Sequence, residues 1–267
     1  MLQKLYCISF LLMTFSFAKA QQNANSLQGV KRQIYLLNKK FDSAYFMQFD
    51  VNYTYSALDT ITGKNETSEK NATYVLKKDN FYYTMDNDIE FMQNDSLNFT
   101  VFQKNKMIMM SRKGTGFPSA NLPLKAITDS ALSGYSKYYN ISIVPSTVDT
   151  NIHIILFQTN GVSNDLLYKS IEVKYRKKTK ELSEIVMHYD QLDNVAVEDT
   201  VTNRIVNKPI FYKKTMDISF SGYKPSTIDP KIFSTDRYIY FNGARRKYAL
   251  INKFRGYRFF IDGIEQN

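Results

Sequence analysis

Two histidines, one pair of adjacent acids and one glycine-rich tripeptide are the residues of this chain best suited to chemistry. His153 and His188 could carry a proton or hold a metal, but each lies inside a run of alternating apolar and polar residues. Neither has a second histidine or a carboxylate at ligand spacing, so a hydrogen-bonded strand histidine is the better reading. Glu198 and Asp199 could act as the two carboxylates of glycoside hydrolysis, yet they fall in the polar run 190–207, where surface charge is expected. Gly114-Thr115-Gly116 comes nearest to a phosphate cradle, and Pro118 stands where the following helix would have to open. No Gly-x-Ser-x-Gly elbow is present. The expectation is a protein that is not an enzyme, with no catalytic residue, metal ligand or cofactor.

The segment from Arg237 to Arg258 points to binding instead. Arg245, Arg246, Lys247, Lys253 and Arg255 lie within it, no acid does, and Tyr238, Tyr240, Phe241, Tyr248, Phe254 and Tyr257 are interleaved. Cations beside aromatic rings suit an anionic ligand, a membrane surface or an acidic partner. The same pattern also guards an exposed edge strand against aggregation. Arg245, Arg246, Lys247, Arg255 and Arg258 are the candidate anion or partner contacts. Six Asn-x-Ser/Thr sequons, at Asn52, Asn65, Asn71, Asn94, Asn98 and Asn140, are expected by chance in a chain this rich in Asn, Ser and Thr.

The chain opens with Lys4, an apolar stretch from Leu5 to Phe17 and the small-residue pattern Ala18-Lys19-Ala20. That is the layout of a secretion signal, and it is too short for a membrane span. Residues 1–20 are therefore expected to be removed, leaving 247 of the 267 residues. Cys7, the only cysteine, goes with them, so the exported chain has no disulfide and is held by packing alone. Lys4 and Lys19 go too, and the net charge falls from +10 to +8. Outside the cytosol the available anions are lipid headgroups, envelope polymers or acidic proteins, and nucleic acid is not an expected partner. The location expected is the periplasm or cell envelope, with peripheral membrane contact open.

The elements that would position these residues are mostly strands. Val30, Ile34, Leu37 and Phe41 recur at helical spacing and predict one amphipathic helix. Phe49, Val51, Tyr53 and Tyr55 alternate with Gln48, Asp50, Asn52 and Thr54, as in a strand with one wet face. Thr60–Lys70 reads as a polar turn region. Short strands over Tyr74–Lys77, Phe81–Met85, Ile89–Met92, Leu97–Phe102 and Met107–Met110, punctuated by Asp and Asn, predict an antiparallel meander. Leu122, Leu124, Ile127 and Leu132 sketch a second helix ending near Gly134. Ile141–Val144, Ile152–Thr159 and a hairpin over Ser170–Tyr189 follow, then a polar loop over Asp190–Asn207 and a strand with Met216, Ile218 and Phe220 on one face. The fold class expected is mainly β (α+β), a strongly curved antiparallel sheet or half-open β-barrel covered by one or two helices.

Taken together, the leading helix, the strand Phe49–Tyr55, the meander from Tyr74, the hairpin Ser170–Tyr189 and the segment Ile228–Phe233 resemble the periplasmic lipoprotein carrier (LolA-like) superfamily. The abundance of Asn, Lys and Tyr resembles exported proteins of the Bacteroidota. The resemblance implies a half-barrel domain over residues 21–235, with 236–267 as a basic aromatic C-terminal extension. It also implies non-catalytic binding of a lipid or lipoprotein acyl chain in an apolar cavity. Its inward candidates are Phe49, Val51, Tyr53, Tyr55, Ile171, Val173, Tyr175, Met216, Ile218 and Phe220. The alternative is a structural or interaction module that docks an envelope protein partner through the basic aromatic segment.

Overall fold

The computed structural model describes residues 27–42, 46–78, 80–113, 129–161, 168–199, 204–243, 247–262 and 264–266. The proposed signal segment, with Cys7, and the Gly114–Gly116 tripeptide lie outside these residues. Helix α1 runs over Leu27–Asp42 and buries Val30, Ile34, Leu37 and Phe41, the stripe predicted from their spacing. A shorter helix α2 covers Asp129–Tyr135 and buries Leu132. The earlier part of the second predicted helix, with Leu122, Leu124 and Ile127, lies outside the described residues.

Among the described residues fifteen strands follow the meander-and-hairpin pattern: β1 (Met47–Asp59), β2 (Asn65–Lys77), β3 (Asn80–Met85), β4 (Ile89–Gln93), β5 (Leu97–Phe102), β6 (Met107–Arg112), β7 (Tyr139–Pro145), β8 (Ile152–Thr159), β9 (Ser170–Arg176), β10 (Leu182–Asp199), β11 (Arg204–Pro225), β12 (Ile239–Asn242), β13 (Lys247–Leu250), β14 (Arg258–Ile261) and β15 (Ile264–Gln266). Thirteen form one sheet in the order β15-β14-β6-β5-β4-β3-β2-β1-β11-β10-β9-β8-β7, and β12 pairs with β13 alone. The large sheet is mainly antiparallel and does not close into a barrel. Its exception is β14, which runs parallel to β6, with Phe259 opposite Ile108.

Two expectations need correction. Thr60–Lys70 is not one long turn, because the turn ends by residue 64 and β2 starts at Asn65. Asp59 makes the short connection possible: one of its carboxylate oxygens accepts from the Ile61 and Thr62 amides, the other from the Thr62 hydroxyl. Asp190–Asn207 is not a loop either, since β10 continues to Asp199 and β11 begins at Arg204. Backbone pairing extends a hairpin whatever its side chains, so polar sequence alone does not end a strand.

The chain divides into two compact units. The first holds residues up to 38 together with 55–67 and 126–217. In it Lys31 Nζ donates to Ser133 Oγ and Lys180 Nζ to the Gln33 side chain, tying α1 to α2 and to the β9–β10 turn. Its core includes Ile155, Phe157, Val173, Tyr175 and Ile185, which share one face because Val173 lies opposite both Ile155 and Ile185. The second unit holds 39–54, 68–125 and 218–267. Its meander is packed on one face by Phe233, Tyr238, Ile239 and Phe254.

Candidate functional site

The second unit contains an aromatic row drawn from five neighbouring strands. Tyr223 of β11, Phe49 of β1, Tyr74 of β2, Tyr83 of β3 and Phe91 of β4 stack in turn, with ring centroids 5.2, 5.3, 5.0 and 5.4 Å apart. Strand register produces this row: Tyr74 lies opposite Tyr83, and Tyr83 opposite Phe91. Neighbouring strands are about 4.8 Å apart, so flat rings at opposed positions fall into stacking distance. The register carries the row on to Thr100, Met109 and Phe260. A second row on the same face is Met85, Ile89, Phe102, Met107 and then Arg258.

Burial changes along this face. Phe49, Tyr74 and Phe91 are buried, whereas Tyr83, Tyr223, Met85, Ile89, Phe102, Met107, Met109 and Phe260 are half-buried. Tyr53 and Tyr74 share a hydroxyl–hydroxyl bond of 2.6 Å at the buried end. Burial pushes the Tyr53 and Tyr74 phenols up, and pushes the Tyr83 phenol up to about 12. The buried end of the row is therefore neutral at any physiological pH; the same face also carries Gln93, Asn98 and Thr100, and Arg258 and Glu265 lie at its margin.

The opposite face of the same strands is polar at one end and strapped at the other. A cavity of about 330 Å³ is lined by Asp50, Asn52, Thr73, Thr84, Asp86 and Ser221, among others. Further along, Arg237 donates to a Glu90 carboxylate oxygen at 3.1 Å, and the Tyr238 hydroxyl donates to the same oxygen at 2.7 Å. The Arg237 guanidinium also lies over the rings of Tyr82 and Tyr238. Burial first, and then the Glu90 charge, raise the Tyr238 phenol.

The ten inward candidates fall in both units. In the second, Phe49, Val51, Ile218 and Phe220 are buried and Tyr53 half-buried, with Phe49 and Phe220 centroids 6.2 Å apart. In the first, Val173 and Tyr175 are buried, while Tyr55, Ile171 and Met216 are half-buried. Among the anion candidates, Lys247, Arg255 and Arg258 are exposed, and Arg245 and Arg246 lie outside the described residues. The Arg258 guanidinium sits 5.7 Å from the Phe260 ring centroid. Tyr74, Tyr83, Phe91, Phe102, Met107, Met109 and Phe260 were not among the candidates. Their alternation is visible in the sequence, but which strands lie side by side is not.

The two histidines occupy structural positions. His153 packs edge-on against Tyr175, and burial followed by the Lys177 and Lys180 charges lowers its pKa, so it is neutral. His188 Nδ1 is 3.1 Å from Thr215 Oγ1. Among the described residues no cluster of three or more His, Cys, Asp or Glu could hold a metal.

The sequence matches no protein-family model and no curated protein. The chain is similar at low level to several solved structures. A DUF1329 family protein from Desulfovibrio piger is 10% identical, with 79% of this chain and 98% of that one covered and a TM-score of 0.36. A LolA superfamily protein from Nitrosomonas europaea is 8% identical, covering 77% and 98% with a TM-score of 0.32. An uncharacterized conserved protein from Thermus thermophilus is 8% identical, covering 75% and 90% with a TM-score of 0.36. Likeness at that level leaves function to be argued from this chain's own residues.

Proposed function

We propose that this chain is an exported, non-catalytic envelope protein that binds a lipid or lipoprotein acyl chain against the apolar face of its second unit. The observation that carries the reading is the half-buried apolar surface of Met85, Ile89, Phe102, Met107, Met109 and Phe260, continuous with the aromatic row. Each acyl CH₂ taken from water onto such a surface contributes about 0.8 kcal/mol. Methionine side chains adapt to a mobile alkyl chain better than branched ones. Arg258 at the margin is placed to meet a phosphate or carboxylate headgroup. Of the ten inward candidates, Phe49, Tyr53 and Phe220 belong to this reading as the wall behind the ligand. The signal at residues 1–20 and the absence of any other cysteine fit export, and the proposed carrier domain at 21–235 would share its core with the extension at 236–267.

Native mass spectrometry of the exported protein, before and after delipidation, tests this. The expected result is a mass excess matching one or a few acyl-bearing molecules, lost on delipidation and restored by adding fatty acid. Identical masses before and after, with no uptake of added fatty acid, would sink the reading.

A further inference from the structure

The β12–β13 hairpin carries an apolar stripe that starts in the core and continues out into solvent. On one face Ile239 lies opposite Leu250, and Phe241 opposite Tyr248. Ile239 is buried in the meander core with Leu250 packed against it. Phe241 and Tyr248, one step further out, are 60% and 43% exposed, and their rings meet edge-on at 5.7 Å. Tyr240 on the other face is 51% exposed. A hairpin needs no exposed phenylalanine to hold its register, and large apolar groups are seldom left together in water without a partner.

Within the hairpin and the segment that follows it, the charge has one sign, with Asp236 just before it. Lys247, Lys253 and Arg255 are exposed, and from Arg237 to Arg258 the sequence contains cations and no acid. Rings with an apolar body and a polar edge, flanked by lysine and arginine, match the boundary between lipid headgroups and acyl chains. An acidic protein is the competing occupant, and a lipid bilayer answers both the charge and the three exposed rings. We infer that this hairpin docks on an anionic lipid bilayer, with Phe241, Tyr248 and Tyr240 entering the headgroup layer and Lys247, Lys253 and Arg255 held against lipid phosphates. This inference does not rest on the acyl-chain reading, because none of these residues belongs to the ladder face.

The test is co-sedimentation of the exported protein with vesicles of phosphatidylcholine alone and of phosphatidylcholine with about 30% phosphatidylglycerol, at low and high salt. Preferential, salt-sensitive binding to the anionic vesicles is expected. The double variant Phe241→Ser, Tyr248→Ser should bind about tenfold more weakly with an unchanged melting temperature, since both rings are exposed. Lys253→Gln and Arg255→Gln should each weaken binding about fivefold and flatten the salt dependence. Met107→Asn, on the ladder face, should bind vesicles as the parent does, which separates this result from any failure of acyl-chain binding. Equal affinity for neutral and anionic vesicles, or parental binding by the double variant, would overturn the inference. So would a parent that ignores vesicles but self-associates through Phe241 and Tyr248, which would make the hairpin an interface between copies of the chain.

Discussion

The two faces of the β2–β6 meander are made by the same strands and finished in different ways. On one, Val75, Tyr82, Met92, Phe99 and Met110 are buried under Phe233, Tyr238, Ile239 and Phe254. The stacking there is tight: Phe99 and Tyr238 centroids are 4.8 Å apart, and Tyr238 and Phe254 are 6.0 Å apart. On the other, the aromatic row ends in methionines and phenylalanines that are half-buried. A folding chain gains nothing from leaving the second face less covered than the first. The strapped face is the more fully buried of the two, and under the proposed function the ladder face is the one that meets a ligand.

The comparison breaks most readily at Phe99. Phe99→Ala opens a hole in the strapped face and is expected to cost about 3–5 kcal/mol in chemical denaturation. A loss below about 1 kcal/mol would mean that the C-terminal strap is not holding the sheet. Next in size is the pair Glu90–Arg237, whose 3.1 Å contact is largely buried on the glutamate side and partly open on the arginine side. Glu90→Gln should cost about 1–2 kcal/mol, less than a fully buried pair because Arg237 keeps some solvent. A double-mutant cycle with Arg237→Gln should show coupling, since the charges meet directly.

Alkaline pH offers a graded test of both faces. Tyr238 on the strapped face and Tyr83 on the ladder face have phenols raised by burial, that of Tyr83 to about 12. An acid whose pKa rises on folding leaves stability intact below its ordinary value, here 10.0. Above that value the unfolded chain gives up the proton first, so stability falls as pH climbs toward the folded pKa. Stability should therefore be level up to about pH 10 and drop steeply above it. Tyr83→Phe should shallow that drop by at most about 2 kcal/mol at the alkaline end. An unchanged alkaline slope would show that Tyr83 is not held in the row.

Much of this architecture was legible in the residues. The stripe Val30, Ile34, Leu37 and Phe41 gave the helix, and the Asp/Asn punctuation gave the meander strands, because both signals are local. The extent of β10 and β11 was not, because Asp190–Asn207 is polar and its strands are made by backbone pairing. The candidate face was legible only in part. Phe49, Tyr53 and Phe220 announce themselves by alternation within one strand. The row through Tyr74, Tyr83 and Phe91 depends on register between strands, and the parallel placement of β14 beside β6 joins residues about 150 positions apart, which alternation cannot reveal. The cationic aromatic tail was visible as a composition, but its division into buried rings, Tyr238 and Phe254, and exposed ones, Phe241 and Tyr248, was not.

The smallest expected stability change carries the sharpest information about function. Met109 lies opposite Thr100 on one side and Phe260 on the other, half-buried in the middle of the ladder face. Met109→Ser removes an apolar side chain that water already reaches, so the cost in stability should be within about 1 kcal/mol. The same change places a hydroxyl where an acyl chain would lie and deletes several methylene-sized contacts. Retention of added fatty acid should then fall about tenfold, because roughly 1.4 kcal/mol of apolar contact is lost from the ligand and not from the fold. If stability fell as far as for Phe99→Ala, the two faces would be equivalent parts of one core. If neither stability nor retention moved, the half-buried methionines would be ordinary sheet surface, and the contrast between the faces would have no functional meaning.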